Sequence, residues 1–519
     1  MEIKRDVSYT KNVKCQDVYT ESHADYVLPD YQGDVRKILF TEATLRPSGR
    51  FAGGDEVEFS GVVVYNLVYL DGEGALSSCE FTSDYDYSVK CNGECYKDSV
   101  SNTRISNYSL RLIGPRKISA RANLVGSARL SQSECISVSG DAFEADEAIE
   151  VNQKSVEICQ SAVSAVAERE YAESLAEFDG MTRDEVSVIY TKADTELVSV
   201  EAEGGEVRLC GKLHLLAVVN LEGEGARSLN KTIDFDEKVE FDAASLEMKL
   251  NPELTVSSLK CIINANDSGC EAVASVILEM CVIGECNETV DLTLDGYLKD
   301  CPTDNSYDSF CFQTLCDAAS ASCTHNTEVK MEEIEAENLC EVVFLSATPK
   351  VEKVECHNGC AEISGEVRYC GVGCQDLEGE KTYVGLKFTA PFSKNVNICC
   401  QNDEKMQVET KVVATLAEGS IEGSCLCASC NIECYVTVCC QMQEKILASM
   451  VKRADEKYEK TDAKITVYYP TEGDTLFSVA KKFRTSGAKI ARDNEVYEQV
   501  FAADNESGSL AGIKKILIY

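Results

Sequence analysis

Four cysteines, Cys425, Cys427, Cys430 and Cys434, crowd into one short stretch of a 519-residue chain that holds 28 cysteines in all. The Cys427-x-x-Cys430 spacing is that of a zinc-ligand pair, but a structural zinc site needs knuckle turns. Here Cys430, Ile432, Cys434, Val436, Val438 and Cys440 instead alternate along one face of a strand-like segment, where thiols behave as small apolar side chains. The pattern favours buried thiols, with zinc binding and oxidative cross-linking as competing readings. Twelve of the 28 cysteines fall from Val351 onward and none after Lys464, so redox chemistry is expected to be local. The four histidines, His23, His214, His325 and His357, are scattered, and His214 is expected to be solvated on the polar face of its strand. Glu222 and Glu224 flank a turn glycine; they read as a solvated hairpin, because calcium requires about six or more oxygen ligands. No GxxxxGK[ST] loop, HExxH helix or GxSxG elbow occurs. No catalytic residue, metal or cofactor is therefore assigned, and a non-enzymatic protein is expected.

The elements that carry these side chains lie in a strongly acidic chain, with 50 basic and 88 acidic residues and a net charge of −38. Such a field repels phosphate backbones and anionic lipid surfaces, so nucleic acid is not an expected partner. From Lys464 onward eight Lys/Arg face seven Asp/Glu, which makes the C-terminal segment electrostatically separate. The opening "MEIKRDVSYTKNVKCQD" has no apolar leader, and no run of about 18 apolar residues suggests a transmembrane segment. A cytosolic protein with reduced thiols is the expectation.

Comparing the chain with itself yields three similar stretches. They are "GRFAGGDEVEFSGVVVYNLVYLDGEGALSSCEF", "VSVEAEGGEVRLCGKLHLLAVVNLEGEGARSLNKTIDF" and "VEKVECHNGCAEISGEVRYCGVGCQDLEGEKTYVGLKF". Each has a glycine turn, an alternating segment with a central glycine (Gly61, Gly211, Gly365) and an acidic-Gly-Glu turn. Period two places Val57, Phe59, Gly61, Val63 and Tyr65 on one face. The corresponding faces are Val207, Leu209, Gly211, Leu213 and Leu215, then Ala361, Ile363, Gly365, Val367 and Tyr369. Such alternation belongs to half-buried antiparallel strands joined by hairpins, and a central glycine to a bulge or a close backbone approach. The expected fold is mainly all-β, with three repeated sandwich or barrel-like units over 1–165, 166–318 and 319–446 and a charged, partly helical linker over 447–463.

Residues 464–519 have a different pattern. "ITVYY" is strand-like, Asp474 or Thr475 can cap a helix, and Leu476, Val479, Ala480 and Phe483 give that helix an apolar face. Ser486 can cap a second helix carrying Ile490, and "IKKILIY" closes the chain as a strand. The order is β-α-α-β. Leu476, Phe477 and the loop from Leu510 to Ile513 are expected to form an exposed contact surface beside the helix N-terminus.

This module resembles the LysM family through Gly473, Asp474, Thr475, Leu476, Ser478, Ala480, Phe483, Asn494, Gly512, Leu517 and Ile518. The resemblance implies a partner- or glycan-binding groove between Gly473–Phe477 and Leu510–Ile513, made by Gly473, Asp474, Thr475, Leu476, Phe477, Leu510, Gly512 and Ile513. The phrase "YVLPDYQGDVRKILF" and the strand-turn-strand pattern after it resemble the SPOCS domain of endospore formers. Tandem SPOCS-like units ending in one LysM resemble the SipL-like family of spore-coat assembly proteins. That resemblance implies a mother-cell protein at the forespore surface, with a coat-basement morphogenetic ATPase and other coat proteins as partners. N-acetylglucosamine polymers are the alternative ligand.

Overall fold

In the computed structural model the described residues are all except 1–4, 15–16, 54–55, 91–97, 139–148, 358, 378–379, 400–405, 454–455, 457, 459–463 and 497–507. They form a mainly β protein of antiparallel sheets, with α-helix confined to the C-terminal module.

The strands fall into three consecutive groups. In the first, β1 (Arg5–Lys14) and β2 (Val18–Val27) pair with successive portions of β7 (Lys117–Val138), which also pairs with β6 (Asp98–Gly114). Between them in sequence, β3 (Val35–Gly53), β4 (Glu56–Asp71) and β5 (Leu76–Lys90) form a separate meander. In the second group β8 (Ile149–Val163), β9 (Ala167–Asp179) and β13 (Lys249–Ala265) all pair with β14 (Gly269–Leu298). Its meander is β10 (Val186–Glu203), β11 (Glu206–Leu221) and β12 (Gly225–Glu240). In the third, β15 (Thr303–Lys330) and β19 (Met406–Glu422) flank β20 (Cys425–Lys452). Its meander is β16 (Leu339–His357), β17 (Cys360–Leu377) and β18 (Glu380–Asn397).

Within each group the inward face of the meander packs on the long-strand sheet. Val63, Tyr65, Ile118 and Leu124 share one core, Leu209, Leu213, Val276 and Leu278 a second, and Ile363, Tyr369, Ile432 and Val436 a third. The period-two faces expected from sequence are the buried ones in all three alternating segments. Each central glycine faces a register shift in the preceding strand, between Pro47 and Gly49, Leu197 and Ser199, or Val351 and Lys353. A Cβ at Gly61 would stand 2.7 Å from the Arg46 carbonyl, while at Gly211 and Gly365 it would strike those of Glu196 and Lys350. Both the bulge and the close approach are present.

Strand pairing departs from the expected boundaries. Ile149–Val163 pairs with Ile283–Leu298, and Thr303–Lys330 runs across position 318 while pairing with β20. The linker expected from Leu447 is corrected as well: β20 continues to Lys452, and Leu447 and Met450 pack against Leu298 and Cys301. The charged residues that follow obscure this last alternating stretch. Residues Glu378 and Gly379 of the third acidic turn, and most of 454–463, lie outside the described residues.

The three meanders meet in one shared core. Phe40, Tyr190 and Phe344 place their ring centroids 5.2, 5.0 and 4.6 Å apart, two pairs edge-on and Tyr190–Phe344 stacked. Each follows a register shift and pairs with a buried valine, Val68, Val218 or Val372. Aromatic pairs at this range are worth about 0.5–1.5 kcal/mol beyond their burial.

Candidate functional site

The C-terminal module consists of β21 (Thr466–Tyr468), α1 (Leu476–Phe483), α2 (Gly487–Asp493) and β22 (Ile516–Ile518), with β21 and β22 antiparallel. Thr475 caps α1: its hydroxyl accepts from the Ser478 amide at 3.1 Å, and the Ser478 hydroxyl accepts from the Thr475 amide at 3.0 Å. Satisfying amides that would otherwise lack partners explains why the helix starts here. Asn494, just past α2, uses its side-chain amide like a strand residue. It accepts from the Leu517 amide and donates to the Leu517 carbonyl, each at 2.7 Å.

The two loops expected to wall a groove are brought together. The Leu476 amide donates to the Gly508 carbonyl at 2.8 Å, the Leu510 amide to the Asp474 carbonyl at 3.0 Å, and Thr475 bridges Ser509. Gly473 and Gly512 are exposed with φ of 89° and 84°, in the left-handed region that glycine adopts without a Cβ penalty. Asp474 accepts from the Thr471 amide at 2.7 Å, the Thr471 hydroxyl at 2.9 Å and the Tyr468 hydroxyl at 2.8 Å. These bonds, the backbone one first, hold its carboxyl below the usual range.

The expectation that Leu476 and Leu510 are exposed is corrected. They are 4% and 1% exposed and share the module's core with Val479, Ile490 and Ile516. An amphipathic helix this short has one apolar face, and closing the module consumes it. Thr475, Phe477 and Ile513 are half-buried. The Phe477 ring meets Tyr297 of β14 edge-on, with centroids 5.4 Å apart. The Tyr297 hydroxyl donates to the Thr485 carbonyl at 2.6 Å, and Lys481 pairs with Asp295, which also accepts from the Tyr307 hydroxyl at 2.8 Å. The module is therefore docked on the long strands through α1 and the turn after it, a face that sequence periodicity did not mark.

At the shared core a polar network sits beside the three rings. Glu42 accepts from the Tyr190 hydroxyl at 2.7 Å and from Ser346 at 2.9 Å, and Lys192 pairs with Asp194 at 3.1 Å. Burial pulls the Lys192 ammonium toward neutrality, but the Asp194 and Glu42 carboxylates outweigh it and its pKa is raised. Burial pushes the Tyr190 hydroxyl well up. An adjoining cleft of about 440 Å³ is lined by Lys192, Asp194, His214, Ser228 and Leu416 among others. His214 is not solvated. Its side chain is 12% exposed and its ring nitrogens lie 3.0 Å from Glu196 and 3.0 Å from Thr232. Those flanking strands fill the face that looked polar and open.

Of the alternating cysteines of β20, Cys430 and Cys434 behave as small core residues, and Cys440 is half-buried. Cys430 and Cys434 are 1% and 0% exposed, and burial pushes the Cys434 thiol up to about 11. The Cys430 thiol lies 3.2 Å from the Tyr369 hydroxyl, and His325 lies 2.8 Å from the same oxygen. Glu222 and Glu224 are exposed. Among the described residues no group of three or more His, Cys, Asp or Glu side chains is placed to hold a metal ion. No helix among them is long and apolar enough to cross a membrane.

These features define an interlocked antiparallel β body with a small β-α-α-β module docked on it. No family model matches the chain, and no match to a curated protein or a solved structure was found.

Proposed function

We propose that this chain is a non-enzymatic morphogenetic protein of the spore envelope, linking the coat to the forespore surface from the mother-cell cytoplasm. In this reading the three strand groups are copies of one SPOCS-like unit and residues 464–519 are a LysM domain. The observation that carries the proposal is the order of pairing. In each group the N-terminal strand or strand pair and the penultimate strand join the last strand around a three-stranded meander, and a β-α-α-β module follows the third. The junction between the loops at 473–477 and 508–513 supports a contact surface there. With Leu476 and Leu510 in the core, contact with a coat-basement ATPase would fall to Gly473, Asp474, Thr475, Gly512 and Ile513, with the half-buried Phe477 beside them.

The test is the position of a fluorescent fusion in the producing organism during starvation. A shell around the forespore that disappears when residues 464–519 are deleted supports the proposal. Signal at the wall or septum of growing cells, with pelleting of the purified chain by wall material, replaces it with peptidoglycan binding through N-acetylglucosamine polymers.

A further inference from the structure

The third strand group carries a pair of thiols that are not merely core residues. We propose that Cys316 of β15 and Cys440 of β20 are an oxidative modification site, forming an intrachain disulfide that pins to β20 the β15 bulge on which the second strand group docks. Their sulfur atoms lie 2.8 Å apart, well inside the separation of two unbonded sulfurs and within a short movement of the roughly 2.05 Å of a disulfide. Cys316 is the extra residue at the register shift between Leu315 and Asp317, which turns its side chain toward Cys440. Both residues are half-buried, unlike the buried Cys430 and Cys434 earlier in β20, so a small oxidant reaches them.

The bulge is also where the second group grips the third. The Asn287 side chain of β14 accepts from the Leu315 amide at 2.9 Å and donates to its carbonyl at 2.8 Å. The Thr314 hydroxyl donates to the Glu157 carbonyl of β8 at 2.7 Å. Asp317 lies 3.6 Å from the Lys249 ammonium of β13 and accepts from the Cys399 amide at 2.7 Å. A bond at Cys316 fixes the residue between these anchors and ties it to a position 124 residues away. With hydrogen peroxide as oxidant the step balances: two thiols give up two protons and two electrons, the S–S bond forms, and the O–O bond breaks to leave two waters.

The full-length chain is reduced, freed of reductant, exposed to hydrogen peroxide, alkylated in denaturant and digested without reduction. The expected result is a peptide pair joined through Cys316 and Cys440, lighter by two hydrogens than its parts and separated by dithiothreitol. The oxidised wild-type chain should melt about 5–10 °C above the reduced chain, a shift absent in Cys316→Ser and Cys440→Ser. Recovery of both cysteines alkylated, or joined to other cysteines, overturns the site. A joined pair without a melting shift overturns the pinning of the bulge. The peptide result on the wild-type chain does not depend on either variant folding.

Discussion

Replacing Tyr297 by serine should release the C-terminal module without unfolding it. Tyr297 is 3% exposed and supplies two contacts across the docking face, the edge-on ring contact with Phe477 at 5.4 Å and the hydroxyl bond to Thr485 at 2.6 Å. The ring contact contributes about 0.5–1.5 kcal/mol and the hydrogen bond about as much, so docking weakens by about 1–3 kcal/mol, a factor of roughly 5–150 in the docked fraction. The Lys481–Asp295 pair remains, but its side chains are 38% and 24% exposed, and a pair so open to solvent contributes only about 0.2–1 kcal/mol. The assay is trypsin cleavage after Arg453 or Lys464 under native conditions, where the rate follows the population of the undocked form. Tyr297→Ser should raise the rate by that factor, and Tyr297→Phe, which keeps the ring and loses only the hydrogen bond, by its square root, about 2–12-fold. The module's own core of Leu476, Val479, Ile490, Leu510 and Ile516 should hold, so the released fragment should stay resistant. An unchanged cleavage rate in Tyr297→Ser would refute the docking argument, and a fragment digested to completion would show that Tyr297 supports the module's fold instead.

Phe344→Ala removes one ring of the shared aromatic core, at a cost of about 3–5 kcal/mol. Because the same rings belong to three meanders, calorimetry should show all three strand groups melting earlier; a loss confined to the third group would reject the shared core. Gly211→Ala puts a Cβ against the Glu196 carbonyl and the Phe235 ring, whereas one at Gly72 meets nothing within 4 Å. The first should lower the denaturant midpoint by an amount worth about 1–3 kcal/mol and the second leave it unchanged, so equal midpoints would discredit the role given to the central glycines. Burial raises the Cys79 thiol from 9.0 to about 12 and the Cys434 thiol to about 11. The folded chain therefore holds protons that the unfolded chain releases above pH 9, and stability present below that pH should fall as pH rises from about 9 toward 11. Stability measured by urea melts that stayed flat across this window would mean that these thiols are hydrated.

The part of the fold that was legible in the sequence is the part that local chemistry decides. Period two names the buried face of Val57 to Tyr65 whatever packs on it, and Thr475 caps α1 with atoms no more than three residues away. What was not legible depends on partners distant in the chain. Ile149–Val163 looked like the end of the first group because it follows that group, yet its hydrogen bonds go to Ile283–Leu298. Phe477 looked exposed because α1 has one apolar face of its own, and nothing near it in sequence announces Tyr297. The central junction is an intermediate case. Phe40, Tyr190 and Phe344 each stand 21 residues before a central glycine, so they were open to discovery as a set. The residue two places after each ring is Glu42, Lys192 or Ser346, one acid, one base and one hydroxyl. Three like positions filled by complementary groups suit contact with one another better than three separate exposures to water. Here Ser346 bonds to Glu42, and Lys192 has its charge held by Asp194 and Glu42. In a chain of similar segments the likenesses mark what each segment does for itself, and the differences at matching positions mark where the segments meet.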